Sequence, residues 1–333
     1  MSKRVVVTGV AGFIGSHLAE ALIDRGDTVV GLDDFNEYYS SARKRSNLDE
    51  VSKVAGTSGR FQFLECDIRD RKTVDRLFRE REIDAVAHLA AMPGVRASLD
   101  DPYLYYDVNL AGTTSLLDAA VGRATSAPRE RLPVFVFAST SSVYGADSPI
   151  PFVEISPCDR PLAPYPASKR AGEMIGHTYH HVYGLDFTAL RFFTVYGPRN
   201  RPDMMAFKVA DSIRCGREVP LHNGGDMRRD WTFVGDIVRG VTSAIDRPLG
   251  YEVVNLGRGE PVNLNDFVAT IEGRLGTTAK LVDRPMPATD MRETYADISK
   301  ARRLLDYAPG TTLEEGVRRF LDWYDGVSVS DGA

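Results

Sequence analysis

The sequence predicts an α/β fold in which a doubly wound parallel sheet carries a smaller C-terminal α/β domain. Short runs of β-branched and aromatic residues alternate with longer segments of helical periodicity, an alternation typical of βαβ units. A glycine-rich segment directly follows the first run, and the alternation becomes irregular beyond residue 194. The predicted strands are residues 4–9, 28–33, 61–67, 84–91, 134–140 and 186–193.

Helices are predicted between these strands, on both faces of the sheet. Their apolar residues recur at helical spacing in residues 13–25, 71–81, 100–122 and 166–183, and a last helix is predicted over 313–324. We expect a dinucleotide-binding domain made of residues 1–193 and 231–257, a substrate-binding domain made of residues 194–230 and 258–325, and a disordered tail over residues 326–333.

Length, charge and cysteine content restrict the class of protein. The 333 residues, 43% of them hydrophobic, can bury a sizeable core, and the formal net charge of -5 disfavours a nucleic-acid surface. The N-terminal residues contain no signal-peptide core, and the chain has no apolar run of membrane-spanning length. Cys66, Cys158 and Cys215 lack metal-ligand spacing, so we expect reduced thiols, no metal site and a soluble cytoplasmic protein without a membrane partner.

A glycine-rich loop joins the first predicted strand to the first helix in the stretch TGVAGFIG, residues 8–15. Gly9 permits a tight turn, Gly12 lets backbone amides approach a pyrophosphate, and Gly15 allows close packing of the helix. Together with Phe13 and Ile14 between them, these glycines form a predicted dinucleotide site.

An acidic residue, Asp33, ends the second predicted strand. Its carboxylate can accept hydrogen bonds from the ribose hydroxyls of adenosine and would repel a 2'-phosphate, which favours NAD over NADP. The basic stretch ARKR, residues 42–45, could meet such a phosphate, but we interpret it as a solvated helix face. Asp67 and Ile68, at the end of the third strand, are placed to meet the adenine.

Four hydroxyl side chains follow one another in the stretch ASTSSVYG, residues 138–145, at the end of a buried strand. Downstream, Tyr165 and Lys169 lie four residues apart on one face of a predicted helix. A phenol with a pKa near ~10 needs a neighbouring cation to act as a base at neutral pH, and the Lys169 ammonium with an oxidised nicotinamide could supply that charge. A hydroxyl at the end of the strand would orient a substrate hydroxyl toward the phenolate.

The motifs TGVAGFIG, HLAA, STSSVYG, YPASK and RFFTVYGP together resemble the extended short-chain dehydrogenase/reductase family that acts on nucleotide sugars, over nearly all of residues 3–325. The resemblance implies a Rossmann domain that binds NAD. It also implies that Thr140 is the catalytic hydroxyl, Tyr165 the base and Lys169 its partner on the nicotinamide ribose. The positions that line the family's cofactor cleft correspond to Leu89, Ala90, Ala91, Asn109 and Phe193.

The resemblance also restricts the reaction. Family members first oxidise carbon 4 of the sugar, and the 4,6-dehydratases then use an Asp-Glu pair after the catalytic threonine. Ser141 and Ser142 stand there in this chain, and UDP-glucuronate decarboxylases typically have a glutamate at the second of these positions. An epimerase needs neither carboxylate, because its ketone receives the same hydride on the other face.

The predicted substrate is UDP-glucuronate, since residues 90–113, 191–204 and 227–237 are similar to the UDP-glucuronate 4-epimerase branch. The resemblance assigns Arg229 to the diphosphate and Arg201 and Thr194 to the sugar carboxylate, with further hydrogen bonds from Ser141 and Ser142. Arg96 and Arg292 are further candidates for substrate binding.

Three other functions stay open from the sequence: a UDP-glucuronate decarboxylase, a 4-epimerase of a neutral UDP-hexose and a non-catalytic dinucleotide-binding sensor. The retained Thr140, Tyr165 and Lys169 argue against the sensor. By the resemblance, the helices over 100–122 and 166–183 pair across a twofold axis, so a homodimer is expected.

Overall fold

The computed structural model describes residues 2–122 and 131–328. Its strands are β1 (Arg4–Thr8), β2 (Thr28–Asp33), β3 (Phe61–Glu65), β4 (Ala85–His88), β5 (Val134–Thr140), β6 (Phe187–Phe192), β7 (Thr194–Tyr196), β8 (Glu218–His222), β9 (Arg228–Phe233), β10 (Tyr251–Leu256), β11 (Pro261–Asn263), β12 (Lys280–Arg284) and β13 (Glu293–Thr294). Its helices are α1 (Phe13–Asp24), α2 (Ser41–Ala55), α3 (Arg71–Glu80), α4 (Pro102–Tyr106), α5 (Thr113–Val121), α6 (Pro164–Tyr183), α7 (Met205–Arg214), α8 (Val234–Asp246), α9 (Leu264–Leu275), α10 (Ser299–Leu305) and α11 (Leu313–Ser328).

Seven strands form one parallel sheet in the order β10-β6-β5-β4-β1-β2-β3. The predicted doubly wound sheet is therefore confirmed, and all six predicted strands lie in it. The strand order reverses between β1 and β4, where a crevice opens at the carboxyl ends of the strands. Apolar residues of the strands belong to two hydrophobic cores, one on each face of the sheet. Helices therefore cover both faces.

The segment predicted as one helix over 100–122 is three pieces: α4, a π-helical stretch at Asp107–Gly112, and α5. The wider turn has a local cause, because the Thr113 hydroxyl donates to the Asn109 carbonyl at 2.6 Å and the Thr114 hydroxyl donates to the Leu110 carbonyl at 2.8 Å. Such turns often mark functional sites. Here it places the buried Asn109 side chain within hydrogen-bond distance of the Met92 backbone, in the loop after β4, and of Ser168 on α6.

A second sheet lies beyond the large one. It has the order β11-β9-β13, with β7 also paired to β9, and β8 and β12 form a separate parallel pair. The buried Asp230 on β9 secures this region, since its carboxylate accepts hydrogen bonds from the Arg258, Gly259 and Ala296 amides at 2.6 to 3.1 Å. The hydrogen bonds of this buried carboxylate therefore hold the second sheet to the segments after β10 and β13.

The expected domain boundaries stay a prediction. The boundary at residue 231 falls within β9, whereas α8 follows it and β10 adds to the edge of the large sheet. The expected tail begins at residue 326, but α11 continues to Ser328, and residues 329–333 lie outside the described residues.

Two further sequence expectations concern membranes and thiols. No helix in the described ranges has the length and apolar character needed to cross a bilayer. The cysteines are free thiols, of which Cys66 and Cys158 are buried and Cys215 is exposed.

Candidate active site

The loop between β1 and α1 is shaped by its glycines. Gly9 has a φ of 71°, and a Cβ there would lie 2.8 Å from the Ala90 amide nitrogen. A Cβ on Gly15 would overlap the carbonyl oxygen of Gly9. Gly12 is the N-cap of α1 and has no side chain to accept from the first-turn amides, so these amides stay available for an anion.

Asp33 lies buried at the end of β2 and lines the cleft next to this loop. Its Oδ2 accepts from the Ala11 amide at 3.1 Å and its Oδ1 from the Phe35 amide at 2.9 Å. Each carboxylate oxygen keeps capacity for a second donor, as ribose hydroxyls would require. Burial raises the pKa of Asp33, while the Phe35 amide and the Lys44 ammonium act against that rise.

The interpretation of residues 42–45 as a solvated helix face was wrong for Lys44, whereas Arg45 is exposed as expected. Lys44 is buried, and its Nζ donates to the Asn36 carbonyl at 2.6 Å and to Asn36 Oδ1 at 3.0 Å. The guanidinium of Arg45 lies 4.1 Å from the centre of the Phe35 ring. These residues pack against the loop after β2 because that loop folds back over α2, a contact that helical periodicity does not reveal.

Most of the predicted cofactor residues line one cleft of the structure. These are Gly9, Gly12, Phe13, Ile14, Gly15, Asp33, Asp67, Ile68, Leu89, Ala90, Ala91, Tyr165 and Lys169. Asn109 and Phe193 do not line it. Asn109 instead accepts from the Met92 amide at 2.8 Å and donates to the Ser168 hydroxyl at 2.9 Å, and Phe193 is buried while its neighbour Phe192 lines the cleft.

A buried histidine that the sequence did not single out ties the cleft loops together. The Ala90 amide donates to Thr8 Oγ1 at 3.1 Å, His88 Nδ1 lies 2.8 Å from the same oxygen, and His88 Nε2 lies 2.8 Å from Thr113 Oγ1. Since Thr113 uses its hydrogen on the Asn109 carbonyl, His88 must carry its proton on Nε2. Burial lowers the pKa of His88 well below its ordinary value, so the ring stays neutral.

Thr140, Tyr165 and Lys169 meet where β5 and α6 face the cleft. Pro164 at the first turn of α6 starts the helix one residue before Tyr165. Tyr165 and Lys169 both line the cleft, and Thr140, which ends β5, lies close enough to the Tyr165 phenol to lower its pKa. The edge of the Tyr105 ring packs against Tyr165 at a centroid distance of 6.3 Å.

Burial dominates the protonation of this group. It raises the pKa of Tyr165, although the Arg201 charge and the hydrogen bond from Thr140 act in the other direction. Burial also lowers the pKa of Lys169 to about 7. The Arg201 charge therefore acts on Tyr165 in the structure, and the role of Lys169 as the partner of the phenol stays a prediction.

The Lys169 environment gives a pH-dependent stability. Its pKa of about 7 in the folded chain lies below the ordinary 10.5, so the unfolded chain binds more protons between these values. We expect the stability of the cofactor-free protein to rise with pH from about 7 to 10.5 by about 1.4 kcal/mol per pH unit relative to Lys169→Met. Urea unfolding of both proteins across this window measures the difference, and parallel curves would contradict the expectation.

The predicted substrate arginines separate into different surroundings. Arg201 lines the cleft and forms a two-pronged ion pair with Asp203. Arg96 pairs with Asp290 at 2.7 Å, and Asp290 also acts electrostatically on the half-buried Arg229, so this carboxylate lies between two of the predicted arginines.

The remaining predicted substrate residues do not line the cleft. The Arg292 side chain pairs with Asp226 at the surface, while its carbonyl accepts from Arg229 at 3.2 Å. Ser141 and Ser142 form a short turn directly after Thr140, and Thr194 begins β7. All three side chains are partly accessible.

Tyr38 and Asp203 were not predicted as site residues. Tyr38 lines the cleft from the loop after β2, and its hydroxyl donates to Asp203 Oδ2 at 3.2 Å. These residues are 165 positions apart, so no local spacing could have indicated the contact. Within the described residues, no cluster of His, Cys, Asp and Glu side chains could hold a metal ion.

The comparisons with known proteins agree with this geometry. A family model described as GDP-mannose 4,6 dehydratase matches residues 6–320. The UDP-glucuronate 4-epimerase of Thermodesulfobacterium geofontis is 40% identical over 319 residues, which cover 96% of this chain and 95% of that protein.

Solved structures are similar over the same length. The crystal structure of UDP-glucuronic acid 4-epimerase from Bacillus cereus in complex with UDP-glucuronic acid and NAD has a TM-score of 0.86 and 34% identity, covering 97% of this chain and 99% of that one. The UDP-glucose 4-epimerase of Thermotoga maritima with UDP-glucose has a TM-score of 0.84 and 27% identity, covering 97% and 99%. The chain therefore belongs to the GDP-mannose 4,6-dehydratase family, among the extended short-chain dehydrogenases/reductases.

Proposed function

We propose that this protein is an NAD-dependent isomerase that interconverts UDP-glucuronate and UDP-galacturonate by 4-epimerisation. The observation that carries the proposal is the cleft that unites a dinucleotide cradle with Tyr165 and Lys169. Beside it β5 ends at Thr140 and is followed by serines where a dehydratase or decarboxylase has carboxylates. The 40% identical relative and the 34% identical solved structure support the choice of sugar.

The residues of the cleft fit an NAD cofactor. The Gly9, Gly12 and Gly15 loop leaves room that a Cβ would fill, and the open first turn of α1 suits a pyrophosphate. Asp33 suits the adenosine ribose and disfavours a 2'-phosphate, and two of the Lys44 donor positions are already used by Asn36. When bound, NAD would accept the hydride of sugar carbon 4 and return it to the opposite face.

Side chains of the protein would accept and return the proton of the sugar hydroxyl. The Tyr165 oxygen takes the proton of the sugar hydroxyl as the ketone forms and gives it back when the new epimer forms. Thr140, at the end of β5 near the phenol, would orient that hydroxyl. Lys169, which is buried next to Tyr165 along α6, would hold the nicotinamide ribose.

The sugar carboxylate sets a second requirement. A ketone at carbon 4 makes the glucuronate a β-keto acid, which loses carbon dioxide once the breaking bond aligns with the carbonyl π system. We infer that Arg201 holds the carboxylate near the carbonyl plane, with Thr194, Ser141 and Ser142 donating further hydrogen bonds. The position of Arg201 in the cleft with Tyr165 supports this role.

Arg201→Ala should lower epimerisation sharply and raise the share of turnovers that end as a 4-keto-pentose nucleotide with released carbon dioxide. The fold should persist, because a partly accessible loop arginine contributes little to the core. Mass spectrometry of single-turnover products measures the partition between the two products. An unchanged epimer yield would show that Arg201 does not hold the carboxylate.

The function as a whole is tested by incubating the purified protein with UDP-glucuronate without added NAD. We expect UDP-galacturonate to form and purified protein to carry NAD, because the reaction consumes no net reductant. Formation of a pentose nucleotide with carbon dioxide would indicate a decarboxylase. Turnover of UDP-glucose alone would indicate an epimerase of neutral UDP-hexoses, and binding without turnover would indicate the sensor. Turnover that depends strictly on NADP would contradict the cofactor assignment.

We also propose that the enzyme is a homodimer, paired through α4 and α6. These neighbouring helices expose large apolar side chains that would be covered in a dimer, among them Tyr103 at 79% and Met174 at 59% exposure. Light scattering at micromolar concentration should give twice the chain mass of 36.7 kDa, and Tyr103→Glu with Met174→Glu should shift it toward the monomer. A monomer for the unaltered protein would contradict the proposal.

The three free thiols favour a reducing compartment, so we place the enzyme in the cytoplasm.

A further inference from the structure

Asp203 holds Arg201 by two parallel hydrogen bonds at the rim of the cleft. Arg201 Nε donates to Asp203 Oδ1 at 2.8 Å, and Arg201 Nη2 donates to Asp203 Oδ2 at 2.9 Å. The Tyr38 hydroxyl donates to the same Oδ2 at 3.2 Å. A loop on the cofactor side of the cleft and a loop on the substrate side therefore meet at one carboxylate.

This arrangement leaves a defined part of the guanidinium for a ligand. A guanidinium has five N–H donors in a rigid plane, and Asp203 uses the edge formed by Nε and Nη2. Nη2 also donates to Met204 Sδ at 3.5 Å, and no acceptor in the described ranges is bonded to Nη1, so the two N–H groups of Nη1 remain for a ligand. Because the plane is rigid, holding one edge fixes the direction of the other.

Asp203 is ionised under the conditions of the reaction. Burial alone would raise the pKa of its carboxyl, but the hydrogen bonds and charge of Arg201 and the Tyr38 hydroxyl outweigh that effect, and the pKa is lowered. An ionised Asp203 also offsets much of the Arg201 charge, so the sugar carboxylate meets a directed pair of donors in a nearly neutral surrounding.

We propose that Asp203 is a positioning residue that fixes the plane of Arg201 for the sugar carboxylate, and that Tyr38 in turn orients Asp203. The inference rests on the proposed function. An arginine side chain has many rotamers, and a guanidinium that nothing holds could follow the carboxylate as it rotates. Asp203 prevents this movement because it binds one edge of the guanidinium.

The consequence lies in the reaction that the enzyme avoids. If the carboxylate rotates out of the carbonyl plane in the 4-keto intermediate, the bond between carbons 5 and 6 breaks and its electron pair moves into the ketone. Carbon dioxide leaves, and the resulting enolate takes a proton at carbon 5. Loosening Arg201 should therefore change the product and not only the rate.

The test compares Asp203→Asn, Asp203→Glu and Tyr38→Phe with the unaltered protein. Asp147→Asn is the matched control, because it removes a carboxylate from an exposed Asp147–Arg160 pair. Single-turnover reactions with UDP-glucuronate measure carbon dioxide released per epimer formed. We expect at least a tenfold increase for Asp203→Asn, a smaller increase for Tyr38→Phe, partial recovery for Asp203→Glu and no change for the control.

Calorimetric binding of UDP-glucuronate and UDP-glucose provides a second readout. Asp203→Asn should weaken UDP-glucuronate at least tenfold more than UDP-glucose, whereas a residue that only supports the fold would weaken both alike. An unchanged product partition in a protein that does epimerise, or equal weakening of both ligands, would overturn the inference. Absence of epimer with the unaltered protein would instead overturn the proposed function, and the binding comparison would still decide the role of Asp203.

Discussion

Tyr165→Phe should reduce turnover of UDP-glucuronate by at least a hundredfold, within the range of about 10²–10⁴ that a positioned acid or base contributes. The substitution removes only the phenol oxygen that exchanges the proton. Retention of NAD and affinity for UDP-sugars should stay near normal, because the ring and its packing against Tyr105 are kept.

The experiment measures the single-turnover rate and ligand binding of the variant, with Tyr144→Phe as the control. Tyr144 is a buried tyrosine whose hydroxyl bonds Asn255 at 2.8 Å, and it does not line the cleft. The control loses one buried hydrogen bond but should keep the turnover of the unaltered protein. A Tyr165→Phe enzyme that keeps a tenth of the unaltered turnover would require another base and leave Tyr165 with a structural role.

Glu173→Gln should cost about 3–5 kcal/mol of unfolding free energy, because it leaves a buried guanidinium without its counter-ion. Glu173 and Arg191 are both fully buried and joined by two hydrogen bonds of 2.8 and 2.9 Å. Ser139 and Arg170 also donate to the Glu173 carboxylate, at 2.6 and 3.0 Å. This group fastens α6, one turn beyond Lys169, to β5 and β6.

Urea unfolding of Glu173→Gln measures the loss, with Glu260→Gln as the control. Glu260 pairs with Arg258 at 2.9 Å but is 68% exposed, so its loss should change stability little. A second substitution, Arg191→Met, should recover part of the loss by removing the unpaired charge. An unfolding free energy within 1 kcal/mol of the unaltered protein would show that the buried pair contributes little beyond its packing.

The parts of the fold that follow from local pattern could be predicted from the sequence. The six strands of the βαβ units and the helices between them have strong periodicity, and the glycines of residues 9–15 indicate their own turn. The π-helical stretch could not be predicted, because it depends on threonine hydroxyls that bond the preceding turn and on the distant partners of Asn109.

In the site, too, the residues within linear motifs could be predicted, whereas the contacts between distant segments could not. Residues in linear motifs, such as Tyr165 and Lys169, reach one cleft, as their spacing indicates. The surroundings of these residues depend on chain segments that are far apart in sequence, so neither the burial of Lys44 nor the contact between Tyr38 and Asp203 was predictable. The same reason explains why the effect of the Arg201 charge on Tyr165 was not predicted.

The most direct test of 4-epimerisation with internal hydride return uses UDP-glucuronate labelled with deuterium at carbon 4, incubated with the purified protein without added cofactor. The products are separated and examined by mass spectrometry and proton NMR. The proposed function predicts UDP-galacturonate that keeps the deuterium at carbon 4, because the same hydride leaves and returns within one closed site. Loss of the label from the epimer, or formation of a pentose nucleotide in place of the epimer, would contradict it.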